Sequence, residues 1–191
     1  MVAEAGQAKT RTYAVQPDEK VTSVMLYTDD HLIWGDVITK EAIRVSTWLR
    51  TPSLPQFFYI HEAHLMRFGI GAAMKPQTYP NLHLPSSLVI AFHIRPPAQD
   101  PLDYDPSEPM RKMEPVTALV GWFCFDGYLR MSTHTDLEHY LDVAKEPFTA
   151  MYDVTIKQPL SPNSGTMRVP YVLVRNLRAF FSSPASSPAP K

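Results

Sequence analysis

Period-two alternation opens the patterned part of the chain. Val24, Leu26 and Thr28 interleave with Ser23, Met25 and Tyr27, as in a strand with two distinct faces. Asp29-Asp30-His31 supplies a turn and residues 32–39 a second strand, so the pair predicts a hairpin. Gly35 lies inside that second strand, where a glycine marks a bulge or a close backbone approach. Ser46 and Thr47 are placed to cap a short helical turn that Pro52 and Pro55 stop. Residues 57–65, FFYIHEAHL, read as a strand from their aromatic and β-branched content. A loop is expected over 69–80. Residues 87–94 then form a nearly continuous apolar strand of the kind covered on both faces.

The pattern breaks over 96–115, where six prolines and five acids argue against a packed element. Tyr104, among the acids, is placed to dock on a surface. Residues 117–125 are apolar on both faces, with Ala118, Val120, Trp122 and Cys124 on one side and Leu119, Phe123 and Phe125 on the other. Asp126-Gly127 reads as a hairpin turn. Thr135-Asp-Leu-Glu138 is a capping box, which predicts a helix over about 136–144 with Leu137, Tyr140 and Leu141 inward. A strand over 148–156, a turn over 161–165 and a last strand over 171–180 complete the pattern.

Parts of the pattern occur twice. GDVITKEAIRVST at 35–47 aligns without a gap to GWFCFDGYLRMST at 121–133, 86 positions on, so that Gly35, Arg44, Ser46 and Thr47 meet Gly121, Arg130, Ser132 and Thr133. LPSSLVIAF at 84–92 matches VPYVLVRNL at 169–177 at a separation of 85. The strand at 57–65 matches 148–156 at 91, which implies about five extra residues in the second helix. The expected fold is mainly β with one or two short helices: two tandem copies of a small barrel-like or sandwich unit. The copies span 21–95 and 116–181. A flexible arm (1–20), an acidic proline-rich linker (96–115) and a disordered tail (182–191) surround them.

Composition narrows the function classes. The 191 residues carry a formal net charge of −1, and no block of Lys and Arg is dense enough to track a phosphate backbone, which disfavours nucleic acid. No apolar run approaches the ~18 residues that span a bilayer, so no membrane partner is expected. A single cysteine, Cys124, allows no internal disulfide and fits a reducing compartment, which places the protein in the cytoplasm.

The chemistry-bearing residues are few. His61 and His64 are three apart on a strand, which points them to opposite faces unless a bulge intervenes. Cys124 reads as a buried small hydrophobe. Neither GxGxxG nor GxxxxGK[ST] occurs. The sequence therefore points to no enzyme and no cofactor. Arg44 with Ser46, and Arg130 with Ser132, suit an anion or nucleotide site, a guanidinium and a hydroxyl both reaching phosphate oxygens. They also suit a structural arginine holding carbonyls or a carboxylate at a strand-to-helix corner, with Ser and Thr as caps, and this second role is favoured. Trp34, Trp48 and Trp122 are the expected contact residues for a protein partner or for self-association.

The elements Gly35, Arg44, Ser46 and Phe57-Phe58, and again Gly121, Arg130, Ser132 and Phe148, resemble a class of small bacterial β-rich domains of unknown function. The likeness covers most of each copy and implies no activity. VMLYTDDHLIWGDV is similar to the opening of small barrels of the Sm and PilZ kinds. The paired arginines and Asp-x-Ser-x-x-Gly of a cyclic-dinucleotide-binding PilZ domain are missing. The expected function is that of a non-enzymatic scaffold or assembly subunit. The alternative is a ligand-sensing module that binds a nucleotide or other anion at the Arg44 and Arg130 corners.

Overall fold

The first hairpin forms as its alternation predicts in the computed structural model of the chain, which describes residues 12–51, 54–69, 75–101, 103–159 and 165–184. Strand β1 (Glu19–Tyr27) pairs antiparallel with β2 (His31–Lys40) along its whole length. The Thr28 hydroxyl accepts the His31 N–H at 3.0 Å and closes the turn. Helix α1 (Val45–Arg50) follows, and buried Val45 and Leu49 anchor it. Its N-cap is Arg44 in an extended conformation with no side-chain cap, so Ser46 and Thr47 lie within the helix instead of capping it. Strands β3 (Phe57–Arg67), β4 (Gln77–Pro85) and β5 (Ala91–Ile94) complete the first half. The second half comprises β6 (Arg111–Val120), β7 (Phe123–Ser132), α2 (Leu137–Val143), β8 (Phe148–Lys157), β9 (Met167–Arg175) and β10 (Phe180–Ser182).

Several boundaries differ from the sequence pattern, each for a physical reason. Strand β4 begins inside the expected loop because most of its side chains are exposed, which hides the alternation. The apolar run at 87–94 divides into a 3-10 turn over Ser86–Leu88 and the four-residue β5. The run at 171–180 divides likewise between β9 and β10. Strand β6 starts at Arg111, within the expected linker, because β7 pairs with it from Ser132 onward. Residues 117–125 are not one strand but the two arms of a hairpin turning at Gly121 and Trp122. Gly121 has a φ of 54°, and a Cβ there would lie 2.7 Å from the Asp29 carbonyl oxygen. The turn is packed against the β1–β2 turn, so it carries apolar residues instead of polar turn signals. Asp126-Gly127 sits inside β7, at an irregularity in its pairing with β8. Helix α2 is capped by Asp136, which accepts the His139 N–H at 2.8 Å, one residue beyond the expected Thr135. The expected turn at 161–165 lies almost wholly outside the described residues.

The ten strands of the described residues form one antiparallel sheet in the order β10-β6-β7-β8-β9-β5-β1-β2-β3-β4. The sheet is open, so the expected closed barrel is not formed. Each half has its fifth strand outside its first, followed by the second, third and fourth. The halves meet at β5 and β9, where Ala91 faces Val174 and Phe92 faces Leu173. The Arg175 N–H donates to the Ile90 carbonyl at 2.7 Å. Its side chain donates to the Val89 and Ser86 carbonyls, both at 2.7 Å, and lies 4.4 Å over the Phe148 ring.

Three landmarks recur at matching places in the two halves. Gly35 and Gly127 each sit where the second strand slips register against the third. A Cβ on Gly35 would lie 2.7 Å from the His61 carbonyl oxygen, and one on Gly127 2.9 Å from that of Tyr152. The extra residue on the third strand is Glu62 (φ 46°) or Asp153 (φ 50°). Opposite these stand Pro80 on β4 and Pro170 on β9. The members of each pair are 92, 91 and 90 positions apart. The alignments at 86 and 85 therefore match residue types but not places. Gly121 is in a turn, Arg130 is on β7, and the position equivalent to Arg44 is Asp136. The helices have six and seven residues, so α2 does not absorb five extra ones.

Side chains alternate across the β5–β9 joint, so each core draws on both halves. One core gathers Val24, Leu26, Val37, Leu49 and Phe92 with Phe148, Tyr152, Tyr171 and Leu173. The other gathers Val116, Phe125, Leu129 and Val174 with Met25, Tyr27 and Phe68. The Tyr27 ring meets Phe123 and Phe125 edge-on at 4.9 and 5.1 Å.

Candidate functional site

Arg50, the last residue of α1, reaches across to the second half. Its Nε donates to Glu146 Oε2 at 2.5 Å, and its Nη2 reaches Oε1 at 3.3 Å. Its Nη1 donates to Asp103 Oδ2 at 2.5 Å. The Glu146 bond is the largest influence holding the guanidinium charged. Asp103 also accepts the Tyr152 hydroxyl at 2.7 Å and the Tyr171 hydroxyl at 3.3 Å. Burial foremost, and then Asp103, raise both phenols well above the usual tyrosine range, so they stay protonated and donate to Asp103.

The segment after Asp103 forms the second wall. The Arg130 guanidinium lies 4.5 Å from the centre of the Tyr104 ring, which meets Tyr152 edge-on at 4.9 Å. Arg130 also pairs with Glu108 at 2.7 Å and donates to the Asp105 carbonyl at 3.0 Å. The expected docking of Tyr104 is thus seen, on β8. A cleft of about 540 Å³ opens between Arg50, Asp103, Tyr104, Arg130, Glu146 and Tyr152. A second hollow of about 250 Å³ beside the same ion pairs is lined by Arg44, Ser46 and Tyr171. Two predicted arginines therefore line hollows beside one cluster. Arg130 is already neutralised there. Among the described residues no ion pair of Arg44 is found.

The other expected residues lie apart. Ser132 accepts the His134 N–H at 3.3 Å. Ser46 is buried, while Trp34, Trp48 and Trp122 are partly buried against the cores. The exposed large apolar residues are instead Phe57, Tyr59, Val143, Leu177 and Phe180, among others. His61 and His64 face Asp36 and Trp34, two residues apart on β2, so the bulge at Glu62 puts both on one face, contrary to the simple alternation. They are separately engaged: His61 with Asn81 at 2.8 Å and stacked on Tyr13, His64 stacked on Trp34 at 5.2 Å. Among the described residues no group of three His, Cys, Asp or Glu is arranged to hold a metal. Burial, then Asp126, raises the Cys124 thiol pKa, which works against a nucleophilic thiolate. No family model, curated protein or solved structure matches the chain.

The site's chemistry is that of a joint. Its carboxylates and guanidiniums neutralise one another, and its phenols, held protonated, donate to Asp103. Arg50, Asp103, Glu146 and Tyr171 escape a reading by spacing because the pairs they form are about 50 to 100 positions apart. Arg130 holds the Asp105 carbonyl and the Glu108 carboxylate from within β7, and Arg175 holds two carbonyls where the halves meet.

Proposed function

We propose that the protein is a non-enzymatic assembly subunit, made from two copies of one small β unit and working through contacts with protein. One observation carries this reading: the sheet joins its halves by an edge contact, and its outer ends carry exposed Phe57, Tyr59, Leu177 and Phe180. The recurrence of glycine, left-handed acid and proline at matching places supports the duplication. Neutralised charge and a disfavoured thiolate support a structural role over catalysis. Native mass spectrometry over a concentration series tests the proposal. An oligomer, or a defined complex with another protein, is expected; a monomer at every concentration that also captures no protein partner overturns it.

A second reading rests on Arg44, whose charge faces a hollow with Ser46 and Arg50. In this reading the hollow takes a small anion. Calorimetric titration with inorganic phosphate and with a nucleotide, repeated on Arg44→Ala, decides it. Binding lost in the variant supports it, and no binding to the parent protein removes it.

A further inference from the structure

The joint between the halves provides a template for a contact between molecules, an inference that rests on the assembly reading above. Three surfaces build the joint. The edge of β9 pairs with the edge of β5. The face of β8 and β9 that bears Phe148, Tyr152 and Leu173 is covered by the core that includes Val45 and Leu49 of α1. Arg50 of α1 then ties to Glu146.

The strand edges and the apolar faces of this joint have equivalents at the ends of the sheet. Strand β4 occupies in the first half the place β9 holds in the second, and it ends the strand order. The places of Phe148 and Leu173 are taken there by Phe57 and His83 (91 and 90 positions earlier), and Tyr59 lies between them on the same face. Phe57 is 41% and Tyr59 58% exposed, and His83 is also exposed. At the opposite end β10 holds the place of β5. Around it Phe180 is 77% and Leu177 94% exposed, and Val143 on α2 is 54% exposed. One end thus shows what the covered side of the joint shows, and the other end carries the strand and helix that would cover it.

We propose that a second copy of the chain adds its β10 antiparallel to β4 and lays its α2 over Phe57 and Tyr59, head to tail. The register of the internal joint, carried over, sets Phe180 opposite Leu84 and Phe181 opposite His83. Such an interface is heterologous and leaves the same two surfaces free at the ends of every assembly, so it grows unless it closes into a ring. Pro85 stands where the joint has Arg175. It has no N–H and no guanidinium, so the contact between molecules lacks the three hydrogen bonds of Arg175, and with Asp142 and Pro55 in the places of Arg50 and Glu146 it lacks their ion pair as well. It is therefore reversible and depends on concentration.

Sedimentation velocity on the full chain tests this with two variants that each block one end, Tyr59→Lys and Phe180→Lys. The parent protein should form species that grow with concentration, each variant alone should stay monomeric, and an equal mixture should stop at a dimer. Phe57→Lys should reproduce Tyr59→Lys, and unchanged circular dichroism would show that the variants fold. Oligomers in either variant alone, or no dimer in the mixture, overturn the head-to-tail contact and leave the assembly reading standing. A parent protein that is monomeric throughout overturns the contact and removes self-association from that reading.

Discussion

Tyr13 and Tyr104, 91 positions apart, perform the same task in the two halves. Each precedes the first strand of its half and lays its ring on the residue just before the left-handed acid of the third strand. Tyr13 stacks on His61 at 4.5 Å, and Tyr104 meets Tyr152 at 4.9 Å. Their polar partners differ. Tyr13 donates to Asp36 at 2.7 Å, while Tyr104 lies beneath Arg130, next to the Asp103–Arg50 pair.

Asp103 has two phenols and a guanidinium on one carboxylate, so its loss leaves several polar groups unpartnered. Asp103→Ala is expected to destabilise the fold by about 1–3 kcal/mol, discounted toward the lower end because Arg50 is partly exposed. Urea unfolding of Arg50→Ala, Asp103→Ala and the double variant measures the coupling. A coupling near zero would make the contact an ordinary surface pair.

His93 is fully buried, accepts from the Tyr27 hydroxyl at 2.9 Å and donates Nδ1–H to the Ile94 carbonyl at 2.8 Å. Burial pushes its pKa down to about 4. The unfolded chain takes up this proton near pH 6.5 and the folded one only near 4, so stability falls as pH drops through that window. The loss is expected to reach about 3 kcal/mol by pH 4. Unfolding midpoints of His93→Gln between pH 7 and 4 should show a flatter dependence; an equal slope would assign the effect to other groups.

The bulges need glycine for space. Gly35→Ala and Gly127→Ala each drive a Cβ against a carbonyl oxygen at 2.7 and 2.9 Å, and against the side chains of Ile60 and Val154. Each should cost about 2–4 kcal/mol, by the measure of an overpacked core. Gly69→Ala, with nothing within 4 Å, is the control and should change stability by less than about 0.5 kcal/mol. Equal thermal shifts for all three would contradict this account.

Arg175 holds the two halves together through its amide and its guanidinium. Arg175→Met keeps the packing over Phe148 but frees the Ser86 and Val89 carbonyls, at an expected cost of about 2 kcal/mol. Arg175→Lys should recover only part of this, because one ammonium cannot match the planar fork. Arg178→Ala removes an exposed pair with Asp29 and should fall within about 0.5 kcal/mol of the parent. Chemical denaturation ranks the three, and an Arg178 effect as large as that of Arg175 would refute the assignment.

The mainly β class, the opening hairpin, the strand at Phe57, the helix near Leu137 and the strand at Phe148 were all legible in the amino-acid order. Each depends on near neighbours: alternation, a capping residue, a run of aromatic side chains. A doubled pattern was also read from the chain, but of its alignments only the one at 91 coincides with the landmarks that recur, and those at 86 and 85 do not. Arg44 and Arg130 share flanking residues, yet one caps a helix and the other lies in a strand. The recurrence at 90 to 92 positions is one of backbone role, shared by glycine, a left-handed acid and a proline, and such roles emerge only once strands pair. The turn at Gly121 looked like strand because apolar residues flank it on both arms and it packs against the backbone of Thr28 and Asp29. The Asp103 cluster and the Arg175 clamp are contacts between distant segments. Chain order sets what each segment is able to form, and the pairing of β5 with β9 decides which of those segments meet.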